Sequence, residues 1–272
     1  MSKINFRAAA LSLGLLMAAV TPAHAGLIGL YTYDDAANLG KDSSGKGNDL
    51  TAAWGTPTGV AGKFGGGMDL GGSAALVSPN GYVNGLPTGS SSYTIASWIN
   101  PDTAGGNNAG GIVGWGYYGY QNLVVALRMD GDTHLHNYWW ANDLNADAGT
   151  DLTAGVGSNG WHFVAATFDA ATNRNAIYID GTEVASRNGY GLYSYNVNFA
   201  VGKTVNNEFF DGQMDNTAIF DQALSLNQLN KIAANDFREF GVAADVPEPE
   251  SLMLVGLGLA GLLAARRQRK QG

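Results

Sequence analysis

Between Gly26 and about Phe220 the apolar positions fall in short runs, separated by clusters of Gly, Asn, Asp and Ser, with almost no helical period. The pattern predicts strands over Leu27–Tyr33, Asp49–Trp54, Gly67–Leu70, Ala74–Ser78, Tyr93–Asn100, Gly111–Trp115, Asn122–Met129, Thr133–Trp140, Trp161–Asp169, Asn175–Ile179, Glu183–Arg187, Phe199–Lys203 and Gly212–Phe220. Two hairpins are explicit. Asp130-Gly131 lies between Leu123–Met129 and Thr133–Trp140, and Asp180-Gly181 between Ala176–Ile179 and Thr182–Ala185. Asp-Gly suits the primed turns, whose two central residues both take positive φ. One helix follows the strands. Ser225 with Gln228 forms a capping-box pattern, Leu226, Leu229, Ile232 and Ala233 make an apolar stripe, and Gly241 is the expected stop. Many short strands with one short C-terminal helix define an all-β sandwich or barrel.

The two ends break this pattern. Lys3 and Arg7 precede an apolar run from Ala8 to Val20, and Ala23-His24-Ala25 supplies small residues before a cut at Gly26. A positive start, a short apolar stretch and an A-x-A site read as a secretory signal peptide over residues 1–25. The domain is then expected over 26–241, with 242–250 as linker and 251–272 as tail. In the tail, Val246-Pro247-Glu248-Pro249 is followed by the apolar run Leu252–Ala265 and by Arg266, Arg267, Arg269 and Lys270. Fourteen residues of helix span about 21 Å, short of a hydrocarbon core of about 30 Å. A basic cluster beyond such a span stays cytoplasmic.

These three parts resemble the PEP-CTERM sorting signal of Gram-negative bacteria. The resemblance implies an exosortase as processing partner, a transient inner-membrane stage through 251–265, and delivery to the cell surface or extracellular matrix after Sec export. An ordinary single-span anchor is the alternative.

Composition narrows the chemistry. The chain has 39 Gly in 272 residues and no Cys, which removes disulfides, thiolate metal sites and a cysteine nucleophile. Its formal charge is −8, and residues 26–246 alone hold 9 Lys and Arg against 21 Asp and Glu, a net −12. Such a field argues against nucleic acid as a partner, repels anionic polymers and attracts divalent cations.

Six segments in order carry a second resemblance: Leu30–Asp34 with Asp42–Leu50, Tyr93–Pro101, Trp161–Asp169, Ile177–Gly181 and Phe210–Ser225. Over residues 27–235 the chain resembles laminin-G-like, concanavalin-type lectin/glucanase domains. That resemblance implies two curved antiparallel sheets of jelly-roll type with the first and last strands adjacent, binding to glycans or proteins, and often a structural calcium ion. Asn216 stands where the family usually has an acidic residue.

Calcium takes several oxygen ligands, often from Gly-rich loops. Asp42 and Asp215 are the expected calcium ligands, with Asp34 and Asn48 behind them; Asx turns are the bland alternative. The strand Thr133–Trp140 alternates His134, His136, Tyr138 and Trp140 on one side, with Trp115, Tyr117, Tyr118 and Tyr120 upstream and Asn142 and Asp143 after it. Flat aromatic faces stack on sugar C–H surfaces, so this row is a candidate glycan patch; ordinary sandwich packing explains it equally. His134 and His136 lack an evident third partner for a transition metal, and His162 reads as a strand residue.

Catalytic patterns are missing. Glu183, Glu208 and Glu239 are isolated, Asp130 and Asp132 flank a turn, and neither a nucleophile elbow, a P-loop nor a zincin motif occurs. The sequence therefore points to an exported, non-catalytic domain that binds polysaccharide or a surface protein. A structural matrix protein without a glycan ligand and a divergent glycosidase or lyase are the alternatives.

Overall fold

The computed structural model describes residues 26–102, 110–130, 134–146, 152 and 160–243. The expected signal peptide, the Val246–Pro249 motif and the apolar run of the tail lie outside the described residues. In chain order the strands are β1 (Leu27–Tyr31), β2 (Thr51–Ala53), β3 (Thr58–Ala61), β4 (Gly66–Asp69), β5 (Ala75–Val77), β6 (Tyr93–Pro101), β7 (Gly110–Gly116), β8 (Val124–Met129), β9 (Leu135–Tyr138), β10 (Leu144–Asn145), β11 (His162–Asp169), β12 (Arg174–Ile179), β13 (Thr182–Asn188), β14 (Ala200–Val201) and β15 (Gly212–Phe220). Helix α1 (Leu226–Ala233) and a 3-10 turn (Arg238–Phe240) follow.

Two antiparallel sheets form. The first runs β13-β12-β11-β6-β15-β4-β3, and β1 also pairs with β15; the second runs β10-β9-β8-β7-β14-β5-β2. Leu27 lies opposite Phe220 and Tyr31 opposite Thr217, so the first and last strands are neighbours, as the resemblance implies. Between the sheets, Tyr31, Tyr93, Trp115, Trp139 and Phe168 fill one continuous core. The outer face of the first sheet carries a second apolar layer, where Leu229, Ile232 and Phe237 meet Phe163, Ala165 and Phe220. Trp98 lies on this face and not between the sheets; its Nε1 donates to Ala233 O at 3.2 Å. Since α1 covers one sheet, the outer face of the second sheet is the one left for other work.

Local chemistry explains the elements. Asp180 (φ 48°) and Gly181 (φ 77°) make the primed turn that the sequence predicts, closing the pair Ile179↔Thr182. The other Asp-Gly does not form a two-residue turn. The last pair there is Met129↔Leu135, Asp130 N–H donates to His134 O at 2.8 Å, and residues 131–133 are outside the described set. Core packing decides this register: a two-residue turn would set Leu135 opposite Ala126, which lies on the outer face, and expel Leu135 from the core.

The capping box is present. Ser225 Oγ accepts from Gln228 N–H, and Gln228 Oε1 accepts from Ser225 N–H at 3.0 Å. The helix stops earlier than Gly241, however, at Ala233, with Asn235 in the left-handed region at φ 61°; Gly241 (φ 84°) closes the 3-10 turn instead.

Leu229 is fully buried between α1 and the first sheet. Leu229→Ala should lower unfolding free energy by about 2–5 kcal/mol. Urea titration should show the midpoint falling with an unchanged slope.

Candidate functional site

Strand β9 sorts its side chains as the alternation requires. Leu135, Asn137 and the following Trp139 point inward; Tyr93 Oη donates to Asn137 Oδ1 at 2.8 Å and accepts from Trp139 Nε1 at 2.8 Å. His136 and Tyr138 lie on the outer face beside Val124, Ala126 and Arg128 of β8. Next to these, β7 offers only glycines: Gly111 opposes Arg128, Gly114 opposes Ala126 and Gly116 opposes Val124. A Cβ at Gly111 would stand 2.1 Å from Thr204 N, so the backbone of the loop after β14 lies directly on the sheet. That loop supplies Glu208, whose two oxygens each take Arg128 Nη1 at 2.8 Å, and Thr204 Oγ1 donates to Glu208 Oε2 at 2.8 Å.

The consequence falls on Tyr138. The Arg128 guanidinium sits 3.9 Å over its ring, and Tyr138 and His136 are only 3% and 5% exposed. Burial pushes the Tyr138 phenol up, opposed by Arg128. The expected row His134, His136, Tyr138, Trp140 therefore shares one face, but that face is covered. His134 and Trp140 are half-buried, and Trp115 belongs to the core. The Trp140 ring lies 4.4 Å from Tyr118 and 6.3 Å from Tyr138, at the end of the covered patch.

Beyond Trp140 the surface becomes aromatic and open. Three connections meet here: residues 117–122 after β7, 140–143 after β9 and 189–198 after β13. They expose Tyr117, Tyr118, Tyr120, Tyr190, Tyr193 and Tyr195. Asn122 (φ 60°) ties the three together. Its N–H donates to Trp139 O at 3.0 Å and Trp140 O at 3.3 Å, its carbonyl accepts Tyr193 N–H at 2.9 Å, and its Oδ1 accepts Asn142 Nδ2 at 2.6 Å. Tyr190, Tyr193 and Tyr195 are missing from the sequence reading. Their signal, a Gly/Ser-spaced tyrosine run outside any strand, carries no periodicity.

The four expected calcium ligands split between two places. Asp42 Oδ1 accepts Leu30 N–H (3.1 Å) and Ser44 N–H (2.9 Å), and Oδ2 accepts Asn48 N–H (2.9 Å). Asn48 donates to Ile28 O and Asn84 O and accepts Asn84 N–H at 2.9 Å. N–H donors take both Asp42 oxygens, and Asn48 holds two carbonyls and one N–H, so the two side chains form a hydrogen-bonded loop clamp. Asp215 and Asp34 lie instead at the β3–β4 turn. Asp215 Oδ2 accepts Phe64 N–H at 2.7 Å, and Asp34 Oδ1 accepts Gly66 N–H at 2.7 Å. Asp215 Oδ1 is buried and accepts no hydrogen bond of normal geometry, so this corner keeps one oxygen to offer. A bulge in β15 at Asn216 (φ 47°) sets that geometry, and Asn tolerates this backbone better than most residues. Among the described residues, no three His, Cys, Asp or Glu side chains form a group that could hold a metal ion.

Among the described residues the other carboxylates are scattered. Glu208 is bound to Arg128. Asp69 and Asp211 raise the carboxyl of Asp102 together with partial burial, the larger cause, but these three sit at the far ends of their strands from the aromatic loops. Asp180 holds His162 Nδ1 at 2.7 Å beside the β12–β13 turn and anchors Phe163 N–H at 2.8 Å, a structural arrangement.

The strands form a jelly-roll β-sandwich with one helix-covered and one loop-dressed sheet. The family model for concanavalin A-like lectins/glucanases matches residues 70–230, more than half the chain. The chain belongs to that superfamily. Residues 245–270 match the PEP-CTERM protein-sorting motif. No curated protein matches the chain in sequence.

Solved structures share the fold. Domain 4 of AbnA, an extracellular arabinanase from Geobacillus stearothermophilus, in complex with arabinotriose, aligns with TM-score 0.61 at 22% identity over 77% of this chain and 99% of that one. The binding domain of Paraclostridial Mosquitocidal Protein 1 aligns with TM-score 0.55 at 16% identity, over 76% of this chain and 51% of that one. The receptor-binding domain of a botulinum neurotoxin C/D mosaic serotype gives 0.51 at 14% identity, over 77% and 51%. The chain thus spans about half of the two toxin domains.

Burial pushes the Asp215 carboxyl up to about 7, with Asp34 adding to the shift and the N–H groups of Phe64, Asn216 and Lys63 opposing it. A folded-state value above the unfolded one means that the native state holds the extra proton between about pH 4 and 7. Stability from this group is full below that window and is lost as pH rises through it. In the presence of chelator, melting curves of Asp215→Asn should therefore gain on the parent from pH 4 towards pH 8; parallel curves would refute the burial effect.

Proposed function

We propose that this chain is an exported, non-catalytic carbohydrate-binding domain, delivered by its sorting tail to the cell surface or the exopolysaccharide matrix. The observation that carries the reading is the Trp140–Tyr118 pair at the open end of the second sheet, continuous with exposed tyrosines on a hydrogen-bonded loop scaffold. Aromatic faces with polar edges suit sugar rings, whose C–H faces and hydroxyl rims have the same division. The sandwich supplies rigidity, so little ordering entropy opposes binding. Support also comes from the arabinanase domain, whose solved structure is a complex with arabinotriose.

The tail completes the reading. Its match to the PEP-CTERM motif supports an exosortase-type enzyme as processing partner, with membrane contact through 251–265 before release. No helix among the described residues is long and apolar enough to cross a membrane, and the tail lies outside them.

Incubation with purified extracellular polysaccharide tests binding and chemistry together. The expected outcome is retention on the polymer without release of reducing or unsaturated ends. Release would replace this reading with a glycosidase or lyase, and self-association without glycan would favour a structural matrix protein.

Calcium enters the proposal as a structural ion at the Asp34–Asp215 corner, the place with an unfilled buried carboxylate oxygen. An ion that binds only the native state raises the melting midpoint by mass action. Millimolar calcium should raise the midpoint over that in chelator, and Asp34→Asn should abolish the rise. An unchanged midpoint would leave Asp215 as a turn clamp alone.

A further inference from the structure

The three aromatic connections have a property that goes beyond sugar binding in general: apart from one carboxylate held in the scaffold, they carry no charged side chain. Among residues 117–122, 140–143 and 189–198 the single ionisable acid or base apart from tyrosine is Asp143, and its Oδ1 accepts Trp139 N–H at 2.9 Å. The nearest cation, Arg187, is turned into the scaffold. Its Nη2 donates to Asn142 O and its guanidinium lies 4.5 Å from the centre of the Tyr190 ring. Around this surface the body of the chain carries a net −12 over residues 26–246, from 9 Lys and Arg against 21 Asp and Glu.

Resting on the glycan reading above, we infer that these loops form the sugar-binding surface and that the polymer they take is uncharged. Anionic chains of uronate or sulfated sugars need a cation to offset their desolvation, and here the one at hand, Arg187, is already engaged by Asn142 O and the Tyr190 ring within a negative body. A neutral chain has no such requirement. Its affinity comes from C–H faces set against rings and from hydroxyls bonded to phenol and amide groups.

The loops are built for that. Tyr118 with Trp140 at 4.4 Å and Tyr117 with Tyr195 at 5.5 Å are edge-to-face pairs. In such a pair one ring fixes the other and leaves an outward face clear. Tyr120 and Tyr193, 68% and 62% exposed, extend the surface past both pairs. The large exposed side chains here are tyrosines with polar tips, while Leu192 is buried and Val197 half-buried. A lipid or an apolar protein face would find the opposite composition.

The surface is also held in shape before any ligand arrives. Asn122 joins all three connections, Ser194 pairs with Gly89 through backbone bonds of 2.6 and 3.1 Å, and Asn196 takes Val83 N–H at 3.0 Å and donates to Val83 O at 2.6 Å. The outer face of the second sheet, by contrast, is filled by Arg128, Tyr138 and the Glu208 loop, which directs a ligand to the end of the sheet.

Affinity electrophoresis of the purified full chain decides the matter, using gels that contain arabinan, mixed-linkage glucan or galactomannan, and parallel gels with alginate or polygalacturonate. Retention is expected on at least one neutral gel, unchanged by high salt. Tyr195→Ala and Trp140→Ala should each weaken it by about tenfold or more, the loss of about 1.4 kcal/mol, with melting temperatures unchanged for Tyr195→Ala. Asn122→Ala, which loosens the scaffold without removing a ring, should weaken retention as well. Retention on acidic gels alone, lost in salt, would overturn the neutral-polymer inference and leave glycan binding standing. Neutral retention indifferent to all three substitutions would move the site away from these loops and overturn the inference too. Failure on every gel would bring down the glycan reading itself.

Discussion

Strand β15 hydrogen-bonds along β6 on one side and along β4 and then β1 on the other, so three distant stretches of chain depend on one strand. The cost of such non-local pairing is loop closure, offset only when the whole sandwich forms. Buried polar groups fix the register: Tyr33 Oη donates to Thr217 Oγ1 at 2.7 Å, and Ser97 Oγ lies 2.8 Å from that same hydroxyl. A slip of one residue would turn these groups into an apolar layer without partners. The bulge at Asn216 is part of the same device. It aims Asp215 at the β3–β4 turn, while Asn216 Nδ2 donates to Asn235 Oδ1 at 3.1 Å and so reaches the end of α1.

From that strand outward the two sheets diverge in use. The first is buried on both faces along its central strands, between the core and the helix layer. The second has its outer face dressed by a loop that approaches so closely only because β7 presents glycine there. Much of the chain's excess of glycine has this meaning: backbone against backbone, or backbone at positive φ, where a side chain does not fit. The exposed aromatic surface is left to the end of the sheet, on connections that a few hydrogen bonds hold in place.

The fold was largely legible because its signals are local. Alternation marked the long strands, Asp180-Gly181 marked a turn and Ser225 with Gln228 marked a helix start. Strand β3 (Thr58–Ala61) escaped because it is largely exposed and has no apolar face to alternate, and β10 is two residues long. The site was harder to see. Period two correctly grouped His136, Tyr138 and Trp140, but whether that face meets water depends on Glu208, eighty residues from Arg128 in sequence. Asp42 and Asp215 stand together among the expected calcium ligands, and only the folded arrangement shows that N–H groups take both oxygens of Asp42 but one oxygen of Asp215. The tyrosines of 189–198 had no periodic context at all.

The scaffold at Asn122 works through backbone groups and amides, and among the described residues no hydrogen bond of the three loops uses a phenol of Tyr118, Tyr120, Tyr193 or Tyr195. The scaffold and the exposed phenols are therefore carried by different atoms of the same loops. Exchanging an exposed side chain at these positions changes stability by no more than about 0.5 kcal/mol, so the chemistry of this surface can change without endangering the fold beneath it.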